Sequence, residues 1–499
     1  MRGRCGRFGI IPGYFRHITT VVVAVVLAGF LTINFAPPAH ALPSFARQTG
    51  QPCGSCHTDF PGLTPYGRAF KLGGYTFGGG EFRTTPFKKK ADYASANGDE
   101  KPEKDKGWFP PISMMAIVGF THTQVPMDAP APFSPNDNVK VDPASFFYGG
   151  AITDHIGAFA QVTYVGASPG GLGQFDHTWT WDNLDIRYAN NTMIGNTAVT
   201  YGITVNNNPT VQDVWNTTPA WGFPYAASTL ASTPAASTII EGAFAAHVLS
   251  VGGYVWIDNK LYLEASAYQT LGFSTQNTLG ANPFGAPGLF DGPAPYVRVA
   301  FEPNWGNHWL MIGAFGMMAN VRPWVDSSFA LGTTDTFPQT DRYIDIGVDA
   351  QYQLKGMNYW FTLRGSFIHE NQRLDASSLN FGTNPTNQLN SAKAQASFAY
   401  GNDHRIVLTG QYFNTWGTSD PTLYSGLISC QPPDTTCSPN SDGWTAEVAY
   451  IPFSMSRAPV WPWFNMRLGL QYTAYHRFDG DTAHASDNNT LFAYLWLAM

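Results

Sequence analysis

Residues 343–353 read Tyr343-Ile344-Asp345-Ile346-Gly347-Val348-Asp349-Ala350-Gln351-Tyr352-Gln353. The even positions Ile344, Ile346, Val348 and Ala350 are apolar, whereas Asp345, Asp349, Gln351 and Gln353 are polar. Such alternation sorts the two kinds of side chain onto opposite faces of a β-strand, because successive residues point opposite ways. About ten residues of it suffice for a tilted strand to cross a bilayer core. The pattern recurs where Leu261, Leu263, Ala265 and Ala267 alternate with Tyr262, Glu264 and Ser266. It recurs again where Met466, Leu468, Leu470 and Tyr472 alternate with Asn465, Arg467, Gln471 and Thr473.

Sixteen such stretches can be counted, near 112–123, 144–153, 156–165, 180–190, 196–206, 243–258, 260–271, 294–305, 309–319, 341–354, 358–369, 389–400, 404–416, 442–452, 463–475 and 490–499. Their connections alternate long and short, and only the link 453–462 is too long for a tight turn on the short side. A soluble β-sandwich shows the same alternation, but about a hundred residues suffice for one, and it gives no reason for alternating loop lengths. The pattern predicts an all-β protein, a ~16-stranded antiparallel transmembrane β-barrel over 111–499, with a short N-terminal helical segment before it. An even strand number puts both barrel termini on the periplasmic side of a bacterial outer membrane. The last strand carries Phe492, Tyr494 and Trp496 yet ends in Met499, a departure from the usual terminal aromatic residue.

Composition agrees. Only 13% of the 499 residues are charged, about half the ~25% usual in soluble domains. Mean hydropathy is −0.16, too low for a bundle of membrane helices, and after the N-terminus no apolar run reaches the ~18 residues that a spanning helix needs. A net charge of −7 argues against nucleic acid as a partner.

Residues 1–41 read as a signal peptide, with Arg2, Arg4, Arg7 and Arg16 before an apolar stretch and an Ala39-His40-Ala41 cleavage site. The segment holds four arginines and no acidic residue, so its removal takes the net charge from −7 to −11. Residues 81–110 form a charged linker; 13 of the 27 residues in 81–107 are charged, including Lys88-Lys89-Lys90, too little apolar surface to fold alone.

Between them, in a segment spanning 42–80, stands Cys53-Gly54-Ser55-Cys56-His57, the C-x-x-C-H pattern of covalent haem c. Two thiols at this spacing can bond the two vinyl-derived positions of one macrocycle, and the adjacent imidazole then lies under the iron as the proximal ligand. The rivals are a redox disulfide and half of a zinc site. The first expects a βαβ neighbourhood and the second a further Cys/His pair, and neither is nearby in the sequence. One covalent haem is therefore expected on Cys53 and Cys56, with His57 on the iron.

The sixth position is open at this level. From Leu42 to Ile112 there is no methionine and no other histidine. The iron is then five-coordinate, or takes Lys71, or takes a barrel residue: Met115, His122 or Met127. Strand parity puts Met114, Ala116, Val118, Phe120 and His122 outward and Met115, Gly119 and Thr121 inward, which favours Met115; ordinary lumen lining is its plainer reading. Phe60, Leu63, Tyr66 and Phe70 recur at near-helical spacing and are candidates to pack on the haem. Arg68 and Lys71 are candidates for its propionates, with solvated surface charge as the alternative.

Three further features follow from the barrel reading. Cys430 and Cys437 share one long loop and are expected to form a disulfide in an oxidising compartment. The last external loop holds Asp479, Asp481, His484 and Asp487, oxygen and imidazole donors suited to external Fe(II), with a plain solvated loop as the alternative. Arg187, Arg298, Arg364, Arg405 and Arg467 are expected inward, facing Glu264, Asp345, Asp349 and Glu447, where they can hold propionates.

The N-terminal run resembles the fused outer-membrane monohaem cytochrome–porins of iron-oxidising bacteria. The matching residues are Phe45-Ala46-Arg47-Gln48-Thr49-Gly50, the C-x-x-C-H at 53–57, Phe60-Pro61 through Gly67-Arg68, Phe70-Lys71 and Gly74-Tyr75; the barrel half matches in architecture. The resemblance implies uptake of electrons from external Fe(II) and delivery to a periplasmic carrier, a c-type cytochrome or a copper protein. Two other functions fit the same features: a conduit for a different external donor or acceptor, and a diffusion porin plugged by haem.

Overall fold

The computed structural model describes residues 43–76, 111–126, 133–164, 179–325, 335–401, 404–431, 435–453 and 460–499. The signal peptide, the linker at 81–110 and Met127 lie outside the described residues.

Sixteen long strands form one closed antiparallel barrel. They are Ile112–Thr123 (β1), Asn138–Ala151 (β2), Ile156–Tyr164 (β3), Trp179–Ile194 (β4), Thr197–Asn206 (β5), Val248–Ile257 (β6), Leu261–Thr270 (β7), Ala294–Phe301 (β8), His308–Pro323 (β9), Asp341–Lys355 (β10), Tyr359–Arg373 (β11), Thr386–Tyr400 (β12), Ile406–Gly417 (β13), Ser441–Tyr450 (β14), Asn465–Arg477 (β15) and Thr490–Ala498 (β16). Each pairs with the next, and β16 returns to β1 with Met115 opposite Ala498 and Thr123 opposite Thr490. Closure leaves no sheet edge to be paired in lipid.

The expected alternation holds along the wall. On β10, Asp345 and Gln351 are 1% and 2% exposed while Ile346 and Val348 are 57% and 51% exposed. Ile203, Val251, Val297, Ile312, Val448 and Leu470 continue this apolar outer surface on other strands. A contiguous apolar exterior around a polar interior is stable in lipid and costly in water. The strand ends differ from the sequence reading at both rims: on the long-loop side β2 begins at Asn138 and β6 only at Val248, and on the short-turn side β4 runs to Ile194.

The start of β1 and the end of β16 lie at one rim, which also carries the short turns around 152–155, 195–196, 258–260 and 356–358. The opposite rim carries the long loops. Cys430 and Cys437, in the loop before β14, are disulfide-bonded.

Two segments occupy the lumen. The first is the N-terminal run, with helices Pro43–Thr49 (α1), Cys53–Cys56 (α2) and Pro65–Leu72 (α3). The second is 207–247, which leaves β5 at the long-loop rim and folds inward; Val211, Val214, Trp215 and Thr218 on it are buried. The two meet directly, the Leu63 amide donating to Asn216 Oδ1 at 3.1 Å.

Candidate functional site

Helix α3 starts where local chemistry dictates. Thr64 caps it, its hydroxyl accepting from the Gly67 amide at 3.2 Å, and Pro65 fills the first helical position, where a missing N–H costs nothing. The same hydroxyl donates to Ser55 O at 2.6 Å, and the Thr64 amide donates to Cys56 O at 2.8 Å. Helix α3 is thereby stitched to α2. Gly67 allows the approach: a Cβ there would lie 2.3 Å from the Cys56 carbonyl oxygen.

The two cysteines of α2 are half-buried and not disulfide-bonded. Together with His57 they line a cleft at the short-turn rim, walled by Phe45, Phe60, Ile451, Met466, Trp496 and Ala498 and edged by Gln51, Asn465 and Arg467. His57 Nδ1 donates to Pro61 O at 3.2 Å, which fixes the ring and its tautomer and leaves Nε2 as the lone-pair nitrogen. Burial pushes the His57 imidazole down to about 4, so the ring is neutral at neutral pH, the form a metal requires. Phe60 packs edge-on against His57 at 4.8 Å and against Trp496 at 5.2 Å. The His57 carbonyl accepts from His404 Nδ1 at 2.9 Å, tying it to the turn before β13.

Of the packing candidates, only Phe60 lines this cleft. Leu63 packs with Trp215, Tyr254 and Met311, and Phe70 with Tyr75, Phe147 and Phe159. Tyr66 is half-buried on α3. Arg68 and Lys71 correct the sequence reading, since they are neither solvated nor at the cleft. Arg68 is 1% exposed, ion-paired with Glu302 and donating to Gln353 Oε1 at 2.7 Å. Lys71 Nζ donates to Val211 O at 2.7 Å and Asp213 O at 2.8 Å, over the Trp221 ring at 4.6 Å. Both bind the segment to the wall and to the inner loop, and Lys71 is thereby unsuited to ligate iron at His57.

The wall arginines correct the reading in the same way. Arg187 on β4 donates to Gln212 O at 2.6 Å and to Lys71 O at 3.4 Å. Arg298 on β8 pairs with Asp213 at 3.4 Å and with Asp349 at 2.6 Å. Arg364 on β11 pairs with Asp59 at 2.8 Å. Arg467 on β15 pairs with Glu447 and donates to Phe60 O. On four strands spread around the barrel, buried guanidiniums clasp the two inner segments, as expected where a desolvated cation must be paired. Only Arg467 among them also lines the cleft, and Arg405 is exposed at the rim. Glu264 accepts from Gln212 Nε2 at 2.8 Å, and Asp345 from the Ile240 amide at 2.9 Å.

Met115 faces inward and packs in the cluster that holds Phe60 and Trp496. His122 is on the outer face, bonded to Asp137 at 2.7 Å. The proposed Fe(II) loop is not assembled. The Asp479 carboxylate accepts from the Ala235 amide at 3.0 Å, and Asp481 accepts from His484 Nδ1 at 2.9 Å. The Asp487 carbonyl, at the loop's far end, accepts from the Val125 amide. Among the described residues no group of three or more His, Cys, Asp or Glu side chains is placed to hold a metal ion.

Cleft and wall together define a closed 16-stranded antiparallel β-barrel with an N-terminal thiol–imidazole segment in its mouth. OmpT of Vibrio cholerae is similar in fold, with 9% identity over 78% of this chain and 96% of that chain and a TM-score of 0.39. OmpF of Salmonella typhi gives 12% identity over 78% and 97%, TM-score 0.41. The outer-membrane channel DcaP of Acinetobacter baumannii gives 13% over 78% and 96%, TM-score 0.38. No protein-family model matches the chain, and no curated protein matches it.

Proposed function

We propose that this chain is an outer-membrane c-type cytochrome–porin that conducts electrons across the bacterial outer membrane. Both barrel termini are then periplasmic, with the cleft rim on that side. Cys53 and Cys56 would hold one haem through thioether bonds, and His57 Nε2 would take the proximal position on iron. The observation that carries this reading is the cleft itself. Two half-buried thiols, a neutral imidazole oriented by Pro61 O and an apolar wall of Phe45, Phe60, Ile451 and Trp496 meet in one place, which is the donor set and dry surrounding that a covalent haem needs. When bound, the haem supplies one-electron chemistry at iron. The chain's own residues orient the imidazole, keep water from it and lock the segment in the barrel. Met115 is the proposed sixth ligand.

The donor in this reading is external Fe(II), and the acceptor is a periplasmic c-type cytochrome or copper protein. A lumen filled by the two inner segments disfavours diffusion of solutes, and the external donor would have to reach the haem across a barrel about 25 Å tall. The four arginine clasps and the buried inner loop oppose an open pore. The purified, signal-processed protein tests this. Covalent haem that resists acid-acetone extraction, is lost in Cys53→Ala and Cys56→Ala, and is reduced by Fe(II) in stopped-flow mixing supports the proposal. Haem reduced by other donors but not by Fe(II) moves it to a conduit for another couple. A haem-free protein that passes solutes refutes it in favour of a porin.

A further inference from the structure

The outward face of β10 sets the edge of the lipid band. Ile344, Ile346, Val348, Ala350, Tyr352 and Leu354 share that face. From Ile344 to Leu354 the strand advances ten residues, which at about 3.3 Å each and a tilt of about 40° rise about 25 Å. That is the height of an outer-membrane apolar band, so Arg342, the next outward residue towards the long loops, stands at headgroup level. Directly opposite Arg342 on β11 is Arg373, and both side chains are exposed. Like charges placed opposite each other on one face destabilise a sheet unless an anion lies between them.

The acids at hand leave that place open. Arg373 meets Asp375 at 2.8 Å, but their side chains are 68% and 52% exposed, and such a pair holds weakly. The neighbouring outward arginine on β9, Arg322, has Asp291 at 2.6 Å. Arg342 meets no carboxylate among the described residues; its guanidinium donates to Met318 Sδ at 3.0 Å, a weak acceptor. Arg342 and Arg373 line one open surface cleft with Asn371, Gln388 and Thr418, and Ile344 lies on its membrane side.

We infer that Arg342 and Arg373 seat the phosphate of a membrane lipid. Guanidiniums bind phosphate oxygens in bidentate fashion, and two of them on backbones about 5 Å apart can hold one phosphate between them. An acyl chain then runs along Ile344, Ile346 and Val348. Resting on the orientation proposed above, which puts the long-loop rim outside the cell, the ligand is a phosphorylated glycolipid of the outer leaflet.

The signal-processed protein, purified in detergent, stripped of lipid and titrated in native mass spectrometry, tests the seat. Diphosphorylated lipid A is expected to bind about a hundredfold tighter than its dephosphorylated form, and Arg342→Gln and Arg373→Gln each to weaken it by about tenfold. The double variant should lose the preference, whereas Lys260→Gln at the opposite rim should bind as wild type. Resistance to unfolding in unheated SDS checks that each variant keeps its barrel. Wild-type protein that does not distinguish the two lipid forms overturns the assignment without any variant. So does undiminished binding by the double variant, or displacement of the lipid by an equal concentration of inorganic phosphate. Orientation is read separately on intact cells, by an impermeant maleimide on Leu379→Cys in the helix Asp375–Phe381 of the same rim. Labelling only after the outer membrane is opened overturns the orientation and, with it, the outer-leaflet source.

Discussion

The Arg364 guanidinium on β11 donates through Nη1 to Asp59 Oδ2 at 2.8 Å and through Nη2 to Asp59 Oδ1 at 3.2 Å, two residues beyond His57 and fully buried. Gly62 makes room for this fork, because a Cβ there would come within 2.0 Å of Asp59 Oδ1. Burial alone would raise the Asp59 carboxyl, but Arg364 outweighs it and holds the group at about 2. Arg364→Gln leaves a buried carboxylate unpaired and is expected to weaken seating of residues 43–76 by about 3–5 kcal/mol. Faster proteolysis of that segment in the folded barrel is the readout, and adding Asp59→Asn should recover most of the loss. Unchanged protection in Arg364→Gln would show that the pair does not hold the segment.

Lys71 carries a pH dependence of calculable sign. Burial first, and then the Arg187 charge, push its ammonium from the ordinary 10.5 down to about 7, against the pull of Asp185, Asp213 and Glu264. Between about pH 7 and 10.5 the undocked segment binds more protons than the docked one, so docking tightens as pH rises, by up to about 1.4 kcal/mol per unit. Below about pH 7 the dependence flattens. Hydrogen exchange of α3 amides should therefore slow from pH 7 to 10 after correction for intrinsic rates, and Lys71→Met should abolish the slope. A slope of opposite sign contradicts the buried-ammonium account.

The inner loop is expected to seal the lumen. Replacing 209–245 by a short Gly-Ser linker removes Trp215, Thr217 and Trp221 from the interior, and a barrel of sixteen strands is wide enough to pass water once cleared. Planar-bilayer conductance should rise by about an order of magnitude over the intact protein, on the scale of open sixteen-stranded barrels. Equal conductance in the two proteins would mean that the loop does not control the pore.

Met115→Leu nearly conserves volume while removing the thioether. If Met115 fills the sixth position, the ferric spectrum should change from low-spin to a high-spin or water-ligated form, with covalent haem retained. An unaltered spectrum assigns Met115 to lumen lining.

The barrel was legible because lipid and lumen impose opposite polarity on a period of two, so Ile344 to Gln353 declare both faces in ten residues. The C-x-x-C-H pattern was legible because its chemistry is local. The inner loop was not: Asn207 to His247 carry no periodicity, and their burial depends on partners far along the chain, such as Arg298 for Asp213 and Glu370 for the Ile239 amide. Its length and its paired tryptophans, Trp215 and Trp221, were the available signal. The arginines were rightly placed inward on four strands, but parity cannot say what they hold. A lumen filled by the protein's own backbone carbonyls and carboxylates satisfies them. In the last loop, acidic composition suggested a metal site, yet backbone amides near Asp479 and Asp481 compete for the same oxygens, which composition alone does not reveal.

Transfer of electrons from one side of a membrane to the other tests the central claim most directly. Proteoliposomes holding the haem-loaded protein would enclose an impermeant redox dye, with Fe(II) added outside and a chelated, excess-donor control for leakage. The account predicts reduction of the enclosed dye at a rate proportional to protein and absent in Cys53→Ala/Cys56→Ala. Dye that stays oxidised while vesicles remain tight and the haem is present would contradict it.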